Sequence, residues 1–329
     1  MNKVAVSGAP ARLNVRDFIS NYSAVIGMIA VLIVFGLIER RFFRLDNIIG
    51  VLNSSTLLIV LSIALMMVMS VRGIDLSVAQ VADAAGVIAA MLLLSGKPFW
   101  MAVAGALLFG LFVGLLNGLL MSYLGIPAII GSLGVMFMVR SFELTLTKGA
   151  QPQILFTLPL KRVKSFFFIG QGSLGPIPML IIICLVVIVI MYFVKERSVV
   201  GRHMEAIQGN VRASFLSSVD IRKVFGATFV MCSVLAAVAG VMLVSRSGSA
   251  VPRGVESYLT DCFVAVYMGT LVSKGNKFNV VGTVIGALFV GFLSNFFTLM
   301  SMGAAYKSLF NGLFIIVAVA LGFLKGRKK

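Results

Sequence analysis

The chain has 329 residues, 60% of them hydrophobic and 12% charged, with a formal net charge of +17 and a mean hydropathy of +1.07. Soluble domains carry about 25% charged residues, so a water-soluble globular fold is excluded. Apolar runs of about 18 residues, each able to cross about 30 Å of hydrocarbon, recur along the chain, and the alternating segments of about 10 residues that build a β-barrel do not occur. An all-α, polytopic membrane protein is predicted. Its basic residues concentrate in loops and tails, where they orient the chain and meet anionic headgroups. The lipid bilayer is therefore an expected partner and nucleic acid is not.

In chain order, Lys3, Arg12 and Arg16 precede the apolar run Ala24–Ile38, which ends in Glu39-Arg40-Arg41-Phe42-Phe43 without a small-x-small cleavage site. It is read as a retained first span, at about 22–38. Further spans are expected at about 48–70, 78–95, 99–123, 127–146, 178–194, 224–244, 256–272, 279–300 and 308–324, which makes about 10. Gly125-Ile126-Pro127 breaks the chain before the fifth, and a loop at about 147–176, with Pro152, Pro159 and several glycines, precedes the sixth. An even count puts both termini on one side. The positive-inside rule assigns that side, with the tail Lys325-Gly326-Arg327-Lys328-Lys329 and the polar stretch Ser198–Lys223, to the cytoplasm. Arg40, Arg41 and Arg44, and the group Lys161, Arg162 and Lys164, then fall outside.

The fourth span reads F-V-G-L-L-N-G-L-L-M-S (Phe112–Ser122) and the ninth F-V-G-F-L-S-N-F-F-T-L-M-S (Phe289–Ser301). Spans five apart cross in opposite directions, the geometry of an inverted-topology repeat with a path near the repeat interface. Gly110, Gly114 and Gly118 form a stripe that lets another backbone approach closely. Asn117 lies beside it, suited to hold helices together or to line a path.

A charge at bilayer depth is costly and faces a cavity or a partner. The acids concerned are Asp75, Asp83, Glu143, Glu256 and Asp261. For Asp75 and Glu143 the expected partners are the nearby Arg72 and Arg140, the latter at helical i, i+3 spacing. Asp83 and Asp261 have no base nearby in sequence and stay open between structural pairing and a polar or proton-conducting path. Candidate path residues are Asp75, Ser77, Asp83, Asn117, Asp261 and Asn295.

Cys184, Cys232 and Cys262 fall in apolar segments without metal-ligand spacing, and His203 is the single histidine. With no Gly-x-x-x-x-Gly-Lys-[Ser/Thr] phosphate loop and no Ser/His/Asp constellation, neither an enzyme nor a cofactor is expected. Energy for transport would come from an ion gradient or a separate ATPase. In the polar stretch, Asn210 is a good N-cap for a short helix Val211–Ser217 that offers Phe215 and Leu216 to a pocket, with Arg202, Arg212, Arg222 and Lys223 adding positive charge.

The pattern Gly201-Arg202-x-x-x-Ala206-Ile207-x-Gly209-Asn210, followed by Ala213, Ser217 and Ile221-Arg222, resembles the cytoplasmic coupling loop of bacterial ABC importer permeases of the ribose/arabinose/xylose type, which include autoinducer-2 permeases. Gly73-Ile74-Asp75-Leu76-Ser77-Val78 resembles the Gly-Ile-Asp-Leu-Ser-Val-Gly signature after their second span, with Ala79 in place of the last Gly. Gly269, Gly275, Gly282 and Gly286 resemble their glycine-rich connection between spans eight and nine, and Gln208 and Val211-Arg212 depart from the usual coupling-loop residues. The resemblance implies a single transmembrane permease domain, 1–329, with a cytoplasmic coupling loop at 196–223. It further implies a second permease subunit, a cytoplasmic ABC ATPase that binds ATP and Mg, and a periplasmic or lipid-anchored sugar-binding protein. Gly201, Arg202, Glu205, Gly209, Asn210, Phe215 and Leu216 would couple to the ATPase. The alternatives are a proton-coupled secondary transporter using Asp83 and Asp261, and a membrane scaffold without transport.

Overall fold

A helix stands at every stretch where an apolar run predicted one. The computed structural model describes residues 15–273, 275 and 277–326. Lys3, Arg12, Lys274, Asn276 and the terminal Arg327-Lys328-Lys329 lie outside the described residues. The first five helices are α1 (Val15–Ile38), α2 (Leu45–Met69), α3 (Val78–Leu94), α4 (Phe99–Gly118) and α5 (Ala128–Leu146). Then come α6 (Leu160–Gln171), α7 (Met179–Tyr192), α8 (Val199–Gly209) and α9 (Val211–Leu216). The last four are α10 (Ile221–Ser247), α11 (Tyr258–Val272), α12 (Val280–Leu299) and α13 (Ala304–Gly326). A turn of π-helix carries α4 on to Tyr123 and α7 on to Arg197. Six helices, α2, α4, α5, α7, α10 and α12, are long and apolar enough to cross a membrane by length and composition; α1, α3, α11 and α13 supply shorter apolar stretches. Among the described residues the strands are two-residue pairs, Gln153–Ile154 with Ser249–Ala250 and Ser173–Leu174 with Ile177–Pro178. The chain is an all-α polytopic membrane protein.

The stretch read as loop contains a helix, and the polar stretch holds one helix more than the predicted Val211–Ser217. Within 147–176, α6 is amphipathic: Val163, Phe166 and Phe167 are buried at helical spacing while Lys161, Arg162 and Lys164 are exposed. Most of the polar stretch forms α8 and α9.

Local chemistry sets the boundaries. Pro98, Pro127, Pro159 and Pro178 stand at the residue before α4, α5, α6 and α7, where a missing N–H is no loss. Ser198, Asn210, Asp220 and Asn279 cap α8, α9, α10 and α12, each side chain accepting from an amide three residues on. Gly248 ends α10 in the left-handed conformation, with φ of 69°.

The core is built on α2 and α10. The former packs on α10, α11 and α12, and the latter on α2, α3 and α4. Small residues make this possible. A Cβ on Gly110 would lie 2.7 Å from the Ser233 carbonyl oxygen of α10, one on Gly114 would lie 2.7 Å from Val230 Cα, and Gly118 faces Gly226. On the other flank Gly291 of α12 faces Ser55 and Val51 of α2. A very tight crossing brings Gly240 of α10 against the Ala82 carbonyl of α3, where a methyl would overlap the oxygen. Gly240→Ala should therefore force α3 and α10 apart and lower stability in detergent by about 1–3 kcal/mol. Unchanged thermal unfolding would show that the crossing has slack.

Candidate functional site

Two irregular stretches interrupt the bundle, 70–77 before α3 and 248–257 before α11, and the first holds buried Ser70, Asp75 and Ser77. In the first, Asp75 is fully buried; its Oδ1 accepts from the Ser77 amide at 2.8 Å and the Ser77 hydroxyl at 2.6 Å. Asn117 of α4 donates to Ser77 Oγ at 3.0 Å, and Ser132 of α5 accepts from the Leu76 amide at 3.1 Å. The stretch thus fastens α3, α4 and α5 together. Asp75 Oδ2 and Asn117 Oδ1 are buried without a hydrogen-bond partner among the described residues, so the knot keeps acceptor capacity.

Asp83 accepts from the Val255 amide of the second stretch at 2.9 Å. Asp261 of α11 receives Lys307 Nζ at 2.7 Å and Asn311 Nδ2 at 2.6 Å, both from α13. Asn295 of α12 and Asn47 of α2 exchange amide hydrogen bonds at 2.9 Å.

Neither expected local ion pair forms. Arg72 does not take up Asp75: with φ of 64°, it sends its guanidinium to the carbonyls of Gln208 and Gly209. Glu143 accepts from Gln80 of α3, while Arg140 stands 3.8 Å from Glu256, which Arg253 also binds at 2.7 Å. For Asp261 the base comes from α13, 46 residues on, beyond any helical spacing.

The second candidate site is the elbow of α8 and α9. Its upper part is anchored: Met204 and Ile207 are buried, and Gly201 lies so close to the Lys195 carbonyl that no side chain fits. Arg202 is exposed and reaches the Arg197 carbonyl at 3.4 Å. Glu205 pairs with Lys277 from the connection between α11 and α12, and that hydrogen bond holds its carboxyl below the usual range. Asn210 Oδ1 accepts from the Ala213 amide at 3.1 Å, capping α9 as its sequence predicts. Beyond the cap, Phe215 is 69% exposed and Leu216 77% exposed. The Asp220 carboxyl, held low by the Lys223 amide, caps α10 as the chain turns back into the bundle.

Several long apolar helices, an interrupted polar knot and a protruding helical elbow define a membrane transport subunit. The family described as "Branched-chain amino acid transport system / permease component" matches residues 47–319, and the chain belongs to it. Similar proteins include the ribose import permease protein RbsC of Haemophilus influenzae, 30% identical over 312 residues, covering 95% of this chain and 96% of that protein. The D-allose transport system permease protein AlsC of Escherichia coli is 28% identical over 306 residues, 92% of each chain. The autoinducer 2 import system permease protein LsrC of Photorhabdus luminescens is 29% identical over 307 residues, 92% of this chain and 90% of its own. No solved structure matches. The resemblance read from the coupling-loop and Gly-Ile-Asp-Leu-Ser motifs is borne out.

Proposed function

We propose that the chain is the transmembrane subunit of a binding-protein-dependent ABC importer that carries a sugar or sugar-like solute into the cytoplasm. The observation that carries this reading is the elbow. Two large apolar side chains, Phe215 and Leu216, stand exposed on a capped helix whose stem is fixed to the bundle, as a socket in a soluble partner requires. That partner is a separate ABC ATPase, which binds ATP and Mg, so this chain needs no cofactor. A second permease subunit and a sugar-binding protein outside the cytoplasmic membrane complete the importer. All ten apolar helices cross the membrane, with both termini and the elbow in the cytoplasm.

The packing supports an inverted repeat of α2–α5 with α10–α13. In it α4 lies on α10 as α12 lies on α2, α3 on α10 as α11 on α2, and α5 on α3 as α13 on α11. Gly114 and Gly291, aligned by the F-V-G motif, meet α10 and α2 respectively. Each half also has its short helix, α3 of 17 residues and α11 of 15, directly after an irregular stretch. Interrupted segments in corresponding places mark the path of such transporters, so Asp75, Ser77 and Asn117 are its best lining candidates. Asp83, Asp261 and Asn295 are already engaged by Val255, by Lys307 and Asn311, and by Asn47, which gives them a structural part and leaves a proton relay without support.

The test is uptake in proteoliposomes. With ATPase and binding protein present, transport should require ATP and ignore an imposed pH gradient. Transport by the chain alone, driven by that gradient, would overturn the importer reading.

A further inference from the structure

One side chain that joins the elbow to the interrupted stretch lies in neither the coupling motif nor the Gly-Ile-Asp-Leu-Ser motif. Arg72 donates from Nε to the Gln208 carbonyl at 3.0 Å, and from Nη2 to the same carbonyl at 2.8 Å and to the Gly209 carbonyl at 3.0 Å. Those carbonyls lie in the last turn of α8, where unpaired acceptors and the negative end of the helix dipole favour a cation. The fork of a guanidinium holds such a pair of carbonyls as a lysine ammonium does not. In the chain, Arg72 is followed at once by the irregular stretch 73–77, which ends at Ser77, the residue before α3. The Ile74 carbonyl and Leu76 amide are tied to Ser132, and Ser77 donates to Asp75 and accepts from Asn117. Arg72 itself holds a left-handed backbone, φ 64°, a conformation that glycine adopts freely and a bulky side chain does not. An arginine kept at such a position points to a use for its head group.

We propose that Arg72 is the transmission residue of this importer: it clamps the C-terminal end of α8 to the 73–77 stretch, so that movement of the docked elbow is passed to the start of α3 and to Asn117. The assignment rests on the importer reading. It adds to that reading a positioning residue, one that touches neither ATP nor solute.

Arg72→Gly is the discriminating variant, because glycine fits the backbone angle and only the clamp is lost. In the purified permease, amide hydrogen exchange in 73–77 and 206–210 should quicken together, about tenfold or more, with melting unchanged. In the assembled importer, ATPase co-purification and basal ATP hydrolysis should persist while solute moved per ATP falls at least tenfold. Arg72→Lys should recover part of that ratio. Unchanged exchange in both segments overturns the clamp, and a transport-to-hydrolysis ratio within twofold of the parent overturns its role. A parent chain that holds no ATPase overturns the importer reading and this role with it, and does so before any substitution is made.

Discussion

Replacing Phe215 and Leu216 with aspartate is expected to abolish co-purification of the ATPase while leaving the permease folded. The two side chains are 69% and 77% exposed, so the fold does not use them as core. Burying such groups in a partner is worth about 1.5–3 kcal/mol each. Putting a carboxylate into the same apolar socket adds a desolvation cost of several kcal/mol. A combined loss of more than about 5 kcal/mol lowers affinity by over a thousandfold, since each 1.4 kcal/mol is tenfold. The cap is untouched, because Asn210 accepts from the Ala213 amide rather than from either residue. Pull-down of the ATPase with the double variant, alongside thermal unfolding in detergent, checks both halves. A complete complex with an unaltered melting point would show that α9 is not the docking element.

The fold was largely legible because each apolar run reports on itself. A stretch such as Leu45–Met69 needs only length and hydropathy to be read, and the prolines before α4, α5 and α7 mark its neighbours' starts. The reading failed at α6, where the prolines and glycines of 147–176 outweighed the spacing of Val163, Phe166 and Phe167. That spacing, beside three exposed cations, was the available signal for an amphipathic helix. At the elbow, the Asn210 cap was local chemistry and could be read in advance, while the burial of Met204 and Ile207 that fixes its stem could not.

Partners of the buried acids were the least legible part. Proximity in sequence offered Arg72 to Asp75 and Arg140 to Glu143, yet Asp75 takes Ser77, two residues on, and the bundle brings Gln80 of α3 to Glu143. Chain-local rules weigh neighbours within a turn or two, and a crowded interior brings in groups from any distance along the chain. Asn47 and Asn295, 248 residues apart, make the point, as do Arg72 and Gln208, 136 apart. What could be read was that such groups need satisfying, not which helix would do it.

Asp261 carries the consequence furthest. Lys307→Met should be among the most destabilising single changes in the chain, at about 3–5 kcal/mol, because it removes the cation from a buried pair and leaves the carboxylate alone. The carboxyl side chain is 7% exposed and its partner 29%, so the burden falls on the acid. Asn311 still donates, but one neutral hydrogen bond does not replace a charge. Adding Asp261→Asn to Lys307→Met removes both charges together and should restore stability to within about 1–2 kcal/mol of the parent, as replacing a whole buried pair commonly does. Thermal unfolding of the three chains in detergent measures the cycle, and ATP-driven uptake by the double variant measures function. Retained uptake fits a pair that fastens α11 to α13. A Lys307→Met chain that melts like the parent would overturn the pair's stabilising role, and a well-folded double variant that no longer transports would return Asp261 to the path.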